Sequence, residues 1–333
     1  MMKKLLNNKT AVLAAAVFLT ITLLAGCGSK TETVSKTALK LDTVVTITLY
    51  EESSSELIDS AFAEIDRLDA LLDVNDNGSD LYRLAENAGE WVEVSDETAE
   101  VLRIAGEYYT LSEGYFDITA APLVELWNVN GGGYLPAESE ITAAAELVDG
   151  SALELEGNMA RLARSGMKAD LGGIAKGYIA DKVKEHLVSH GVEHAVIDLG
   201  GNIVLIGTKP YGSQYSVGVK DPLDKDGNLL CVVQGSDETM VSSGIYERYF
   251  EQDGKKYHHI IDPFTGAPSE SDLAGVTVIS KNSARADALS TACLLLGSEA
   301  AIELVESTED TEAIFVTRSG EMYKTSGMSS KIK

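Results

Sequence analysis

The chain has 333 residues, 44% of them hydrophobic, with 27 basic against 52 acidic side chains and a net charge of −25. That length suits one large domain or two fused lobes with a sizeable core. The charge, with no basic stripe to offset it, repels nucleic acid and excludes a duplex DNA or RNA partner. An acidic exterior also repels a nucleotide, so a site for one needs local cations, a metal or helix N-termini to reverse the field.

The first 27 residues read as a targeting segment. Lys3, Lys4 and Lys9 form a basic start, and residues 11–25 are uncharged, mostly apolar and too short to span a bilayer comfortably. Leu24-Ala25-Gly26-Cys27 looks like a bacterial lipobox, in which Cys27 becomes the lipidated first residue; the alternative is an ordinary signal peptide with an incidental cysteine. Residues 28–37 read as a flexible tether. The expectation is a domain lipid-anchored at the bacterial cell membrane, facing outside the cytoplasm. Cys231 and Cys293 then remain, which is neither a disulfide framework nor a zinc spacing. Cys293, in Thr291-Ala292-Cys293-Leu294, is expected as a buried free thiol.

Residues 38–50 alternate and are rich in β-branched side chains, which predicts a strand. Ile58, Phe62, Ile65, Leu68 and Leu72 recur at helical spacing over 55–72, and 73–80 carry turn chemistry. A second helix is predicted over 96–112, a polar loop at 128–133, a short helix at 137–148 and a hairpin around 151–164. A helix follows over 173–190, then two strands over 194–206 broken at Gly200-Gly201. Strands are predicted near 215–220, 229–234, 239–242, 257–261, 274–280, 313–317 and 321–324, with a helical stretch at 283–306 broken at Gly297. Helices and strands alternate irregularly, and close strand neighbours favour antiparallel pairing. The expected class is α+β, with mixed, largely antiparallel sheets and packed helices.

Three polar clusters carry chemistry. In Asp170-Leu171-Gly172-Gly173-Ile174-Ala175-Lys176-Gly177 a strand-like end runs through glycines into a helix. Free N–H groups there favour anions, and Lys176 adds charge. By itself the stretch fits a tight strand-to-helix turn with a surface lysine equally well. Asp287 and Thr291 lie at i and i+4 on a helix, with Ser290 beside them. A carboxylate and a hydroxyl, completed by a backbone carbonyl and phosphate oxygens, is hard oxygen ligation of the kind Mg²⁺ prefers. The alternative is an aspartate favoured by the helix dipole, with Thr291 bonded to a carbonyl. In His258-His259-Ile260-Ile261-Asp262-Pro263, alternation sends the two histidines to opposite faces, so only one serves a given site. His186, His190 and His194 read as structural. Tyr115-Phe116-Asp117 could contact a flat ring or pack as a loop.

These pieces in this order resemble the ApbE family, the FAD:protein FMN transferases. The matching stretches are YFDITAAPLVELW (115–127), DLGGIAKGYIAD (170–181), DLGGN (198–202), SSGIYER (242–248), DGKKYHHIIDPFTGAP (253–268) and ADALST (286–291). The likeness runs over about 38–325, and implies a single domain there. The resemblance implies Mg²⁺-dependent cleavage of FAD, transfer of FMN to a Thr or Ser hydroxyl of an acceptor flavoprotein, and release of AMP. It implies Mg²⁺ ligation by Asp287, Thr291 and the carbonyl of Gly173, with Ser290 close to the metal. Tyr115, Phe116, Asp117, Asp170, Lys176 and Ile261 would line the FAD site, and His259 would be the base. The acceptor would belong to a membrane or exported electron-transfer system. The chain departs from the family pattern at Leu41-Asp42-Thr43, at Asn75 where an aromatic is common, and at Ala85, with Asn87 two residues on. These positions bear on how FAD is held and on whether a hydroxyl or water attacks. A Mg²⁺-dependent FAD pyrophosphatase and a non-catalytic FAD-binding lipoprotein are the alternatives.

Overall fold

In the computed structural model, residues 33–50 and 55–333 are described. The targeting segment, Cys27 and the first half of the tether lie outside the described residues. Strands β1 (Val34–Lys40) and β2 (Thr43–Leu49) open the fold, followed by α1 (Ser55–Leu72), α2 (Asp80–Glu86), β3 (Val92–Glu93) and α3 (Asp96–Leu111). The segment read as one strand over 38–50 is thus a hairpin, and β1 begins at Val34, inside the stretch read as tether. The turn residues Leu41 and Asp42 have φ of 52° and 56°. Two left-handed residues make a tight hairpin turn, but without Gly or Asn they leave no sequence signal.

Next come α4 (Ala121–Trp127), α5 (Glu138–Ala145), β4 (Leu153–Glu156), β5 (Met159–Leu162), α6 (Ala175–Ser189), β6 (Ala195–Leu199) and β7 (Asn202–Ile206). Then follow β8 (Tyr215–Lys220), β9 (Leu229–Gly235), β10 (Thr239–Gly244), β11 (Tyr249–Gln252), β12 (Lys255–His258) and β13 (Leu273–Ser280). The chain closes with α7 (Ser283–Leu296), α8 (Ser298–Glu306), β14 (Glu312–Thr317) and β15 (Met322–Lys324). The strand read at 257–261 is instead the end of β12, which stops at His258. Past β15 the chain still pairs, with Gln234 N–H donating to the carbonyl of Lys331 at 2.8 Å, so the fold extends beyond 325.

The main sheet has eight strands in the order β1-β2-β6-β7-β10-β13-β14-β15. Every pairing in it is antiparallel. One face carries Val45, Ile47, Ile197, Val204, Val241, Val276 and Val278 into the large core shared with α1, α3, α6 and α7. The hairpin β8–β9 covers part of the other face, through Tyr215, Val219 and Val233. Among the described residues no helix is long and apolar enough to cross a membrane. Cys231 and Cys293 are free thiols, Cys293 buried.

Helix α1 buries Ile58, Ala61, Ile65, Leu68 and Leu72, the stripe expected of an amphipathic helix. Helix α3 is capped by Ser95, whose Oγ accepts the N–H of Thr98. Helix α7 has no polar face: Ala284, Ala286, Ala288, Leu289, Ala292, Cys293 and Leu294 are all buried. It is enclosed by β10 and β13 on one side and by α3 and α6 on the other. Its N-terminus is held by Asp181 of α6, whose carboxylate accepts the N–H groups of Ser283 and Ala284 at 2.9 Å each. Asn202 Oδ1 accepts the Ser283 hydroxyl at 2.7 Å.

Helices α6 and α7 meet at Gly177. A Cβ there would lie 2.2 Å from the carbonyl oxygen of Ser283 and 2.7 Å from Asp287 Cβ. Only glycine fits without moving one helix. Gly177→Ala should therefore destabilise the fold by about 1–3 kcal/mol, the usual cost of overpacking. The check is a urea titration, with the midpoint lowered at unchanged slope.

Candidate functional site

One cavity of about 150 Å³ gathers the sequence-predicted site. It is lined by Tyr115, Phe116, Asp117, Asp170, Gly173, Lys176, His259, Ile261, Asp287 and Thr291. Ser290 is the predicted residue outside the lining. It is fully buried behind the cavity, its hydroxyl donating to the carbonyl of Asp287 at 2.8 Å and pairing with the Ser243 hydroxyl at 2.8 Å. Ser243 itself lines the cavity.

Asp287 sits on α7 and is 3% exposed. Its Oδ2 accepts the N–H of Gly177 at 2.8 Å, and among the described residues Oδ1 accepts no hydrogen bond. Burial pushes its carboxyl above the usual range, while Lys176, the Gly177 N–H and Arg248 pull it back. Thr291 lies one turn on. Gly173, just before α6, completes the group: a Cβ there would come 3.2 Å from Thr291 Oγ1 and 3.1 Å from the Phe116 ring. Among the described residues no three His, Cys, Asp or Glu side chains cluster as a metal site. The donors at this corner are one buried carboxylate with a free oxygen, one hydroxyl and nearby backbone. That set fits a hard divalent cation, whose remaining ligands would have to come from outside the protein.

His259 follows β12 and is half-buried. Its backbone N–H and its Nδ1 both face the carbonyl of Arg248, at 3.1 Å and 3.2 Å. A ring nitrogen beside a carbonyl carries the proton, which leaves Nε2 with its lone pair. Burial pushes the imidazole down to about 4, helped by the positive charge of Arg248, so it is neutral at pH 7. His258 points the other way, 5% exposed, with Nε2 3.0 Å from the carbonyl of Ser269. The opposite-face expectation holds for the pair. The turn after them is built by Asp262, whose Oδ1 accepts the N–H of Phe264 at 2.8 Å.

Asp117 spends its carboxylate on structure. Oδ1 accepts the N–H and the hydroxyl of Thr119 at 2.7 Å each, and Oδ2 accepts the N–H of Gly150 at 2.8 Å. Phe116 is 3% exposed and packs edge-on against Tyr108. Tyr115 meets the exposed ring of Phe264 edge-on at 4.9 Å, which makes an aromatic rim. Asp170 Oδ1 accepts the N–H of Gly172 at 2.6 Å, closing the turn ahead of α6. Burial raises the Asp170 carboxyl. Asn75 borders a side cavity of about 170 Å³ with Asp170, His259 and Ile261.

Sequence reading gave no role to Arg248 or Ser243, both within SSGIYER. Arg248 lines the cavity with Lys176, and among the described residues neither cation has an ion-pair or hydrogen-bond partner for its charge. The available signal was an arginine in a Gly-containing turn of a strongly acidic chain.

A model of the ApbE family matches residues 41–315. An FAD:protein FMN transferase of Treponema pallidum (strain Nichols) is 31% identical over 321 residues, 90% of this chain and 88% of its own. Another, from Klebsiella pneumoniae (strain 342), is 34% identical over 296 residues, 88% of this chain and 92% of its own. The crystal structure of the ApbE protein of Thermotoga maritima is similar with a TM-score of 0.84 at 27% identity, covering 91% of this chain and all of that one. The flavin transferase ApbE of Vibrio cholerae gives 0.81 at 27% identity, covering 90% of this chain and 99% of that one.

The imidazole of His259 should titrate near pH 4 in the folded protein by NMR, with His258→Gln used to assign its signal. Because the unfolded ring takes its proton near pH 6.5 and the folded ring only near 4, this group stabilises the fold fully above 6.5. That contribution is lost as pH falls toward 4. His259→Gln should flatten that part of the stability profile in urea titrations at stepped pH.

Proposed function

The chain belongs to the ApbE family, and from that premise we propose that it transfers the FMN half of FAD to a Thr or Ser hydroxyl of an acceptor protein. The acceptor oxygen bonds to the FMN phosphorus, the pyrophosphate P–O–P link breaks, and AMP leaves. The observation that carries this reading is one cavity holding a neutral imidazole with a free Nε2, two unpaired cations and a buried carboxylate with an unused oxygen.

Each group has a task. A Thr hydroxyl is a weak nucleophile, and His259 Nε2 would take its proton as the oxygen attacks. The lone pair is available at neutral pH because the folded site disfavours the imidazolium. Lys176 and Arg248 would face the charge that builds on the phosphoryl oxygens, in a chain whose overall field opposes an anion. Asp287, Thr291 and the carbonyl of Gly173 would hold Mg²⁺. When bound, Mg²⁺ neutralises pyrophosphate charge and orients the oxygens. Phe116, Tyr115 and Ile261 offer apolar and aromatic surface to a flat ring system.

The polar side cavity at Asn75, beside His259, favours a second reading in which water attacks and the products are FMN and AMP. A pure FAD-binding lipoprotein is disfavoured by the placement of His259, since a binder needs no base. We read Cys27 as the lipid anchor and the domain as facing outward from the cell membrane. The basic start, the apolar run and Leu24-Ala25-Gly26-Cys27 support that placement. The acceptor is then a flavoprotein at the same surface.

The test mixes the chain from Gly28 onward with FAD, Mg²⁺ and an acceptor domain carrying a Thr. AMP together with flavin fluorescence that survives denaturing electrophoresis is the expected result. AMP without covalent flavin would favour the pyrophosphatase. Asp287→Ala should abolish transfer, as should chelation, with activity restored by Mg²⁺ in the unmutated chain alone. A near-normal rate in Asp287→Ala would remove the metal assignment. His259→Ala should slow transfer by about 10²–10⁴-fold, the usual loss of a general base, with a smaller effect on FAD affinity. An equal loss of both would make His259 a binding residue.

A further inference from the structure

Beside the site lies a wider groove of about 1150 Å³ that shares Lys176, Glu247 and Arg248 with it. It therefore opens directly onto the reacting end. Its floor is the sheet face turned away from the helices: Thr46, Asp198, Ile203, Ser242 and Thr277 border the groove. They alternate with the helix-facing Val45, Ile197, Val204, Val241 and Val276.

One wall is β8. Four consecutive residues of it, Val217 to Lys220, border the groove. A strand that turned a face to the groove would contribute every second residue; four in a row mark an edge. β8 pairs with β9 and with no other strand. From Val217 to Lys220 its backbone makes no further backbone hydrogen bond among the described residues. The groove thus has a wall of unused N–H and C=O groups, the form that accepts an added strand. Gly200 and Gly201 also border it.

We propose that the free edge of β8 is the docking strand for the acceptor: an extended segment of the acceptor protein pairs with it and carries its Thr or Ser hydroxyl to the end at Lys176 and Arg248. This rests on the flavin-transfer reading. The reaction needs a polypeptide hydroxyl at the FMN phosphorus, and this groove, with room for more than part of a dinucleotide, meets the site at Lys176 and Arg248. Four residues of edge at about 3.3 Å each give some 13 Å of pairing length. Main-chain pairing asks little of the acceptor's side chains, so a segment of small residues would dock as well as any other.

The test presents the purified full chain with FAD, Mg²⁺ and a synthetic ten-residue peptide of Gly, Ala and Ser bearing one Thr. Copies are N-methylated at one backbone position at a time. The expected result is flavin transfer to the unmodified peptide, with kcat/KM lowered at least fivefold by methylation at alternate positions and under twofold at those between. FAD binding measured without peptide should be the same throughout. A flat profile would overturn the docking mode and leave the transfer reading intact. Transfer to a folded acceptor domain but none to the peptide would do the same. No covalent flavin on either peptide or domain would overturn the transfer reading itself.

Discussion

The site depends on the crossing of α6 over α7 at Gly177. There the backbone N–H of one helix donates to the side chain of the other, Gly177 to Asp287 Oδ2 at 2.8 Å, and a Cβ would collide with the carbonyl of Ser283. The contact has two consequences. It lets the helices approach closely enough to bury Asp287, and it fixes which carboxylate oxygen is spent and which is free. Asp181, one turn along α6, ties the first turn of α7 through Ser283 and Ala284. Asn202 ties the same serine to the sheet. Asp287 and Thr291 are therefore set by a helix anchored at several points, and Gly173 lies at the start of the helix that crosses it. A buried carboxylate is costly unless charge or hydrogen bonds answer it. Here a single N–H and the nearby cations answer in part, which leaves Asp287 suited to a further positive partner.

The same shortage of compensation runs through the electrostatics. Many described cations of the chain are paired with surface acids, as with Lys36 on Asp59, Lys40 on Asp66 and Arg285 on Glu107. Lys176, Arg248 and Lys220 are not so spent, and all three border the groove. Asp42, Asp198 and Glu247 border it as well, so an acidic protein keeps at this cleft a local balance of charge in place of its acidic excess. Cations without an ion pair at a cleft offset the repulsive exterior locally, and Glu247 among them takes part of their field.

Much of this was legible in the sequence, and the misses have physical causes. The helix at 55–72 announced itself because an amphipathic stripe needs no knowledge of its partner. The hairpin at Leu41-Asp42 did not, because residues other than Gly or Asn were held in left-handed backbone by the strands around them. Helices α2 and α4, seven residues each, are too short for periodicity to stand out. Ser290, placed close to the metal by the family resemblance, is buried behind the cavity; α7 is enclosed on most sides, so helical spacing alone could not say which inward direction faced the cavity. Gly177 and Asp181 were visible inside DLGGIAKGYIAD, but their role lies in contact with residues about a hundred positions later. No local pattern encodes that contact.

The histidine links the two halves of the chemistry. In the free protein its proton affinity is low because the site is desolvated and Arg248 is adjacent. A base held that low accepts a proton weakly, and a catalytic base works best near the ambient pH. A pyrophosphate entering the cavity brings negative charge toward the same ring, and a nearby anion favours the protonated imidazole. On the reading of His259 as the base, substrate binding would therefore raise the basicity of Nε2. Arg248 and Lys176, whose charges help to depress His259, are the groups that a phosphate would neutralise. One electrostatic balance would then keep the ring uncharged before an anion arrives and make it a stronger base afterwards.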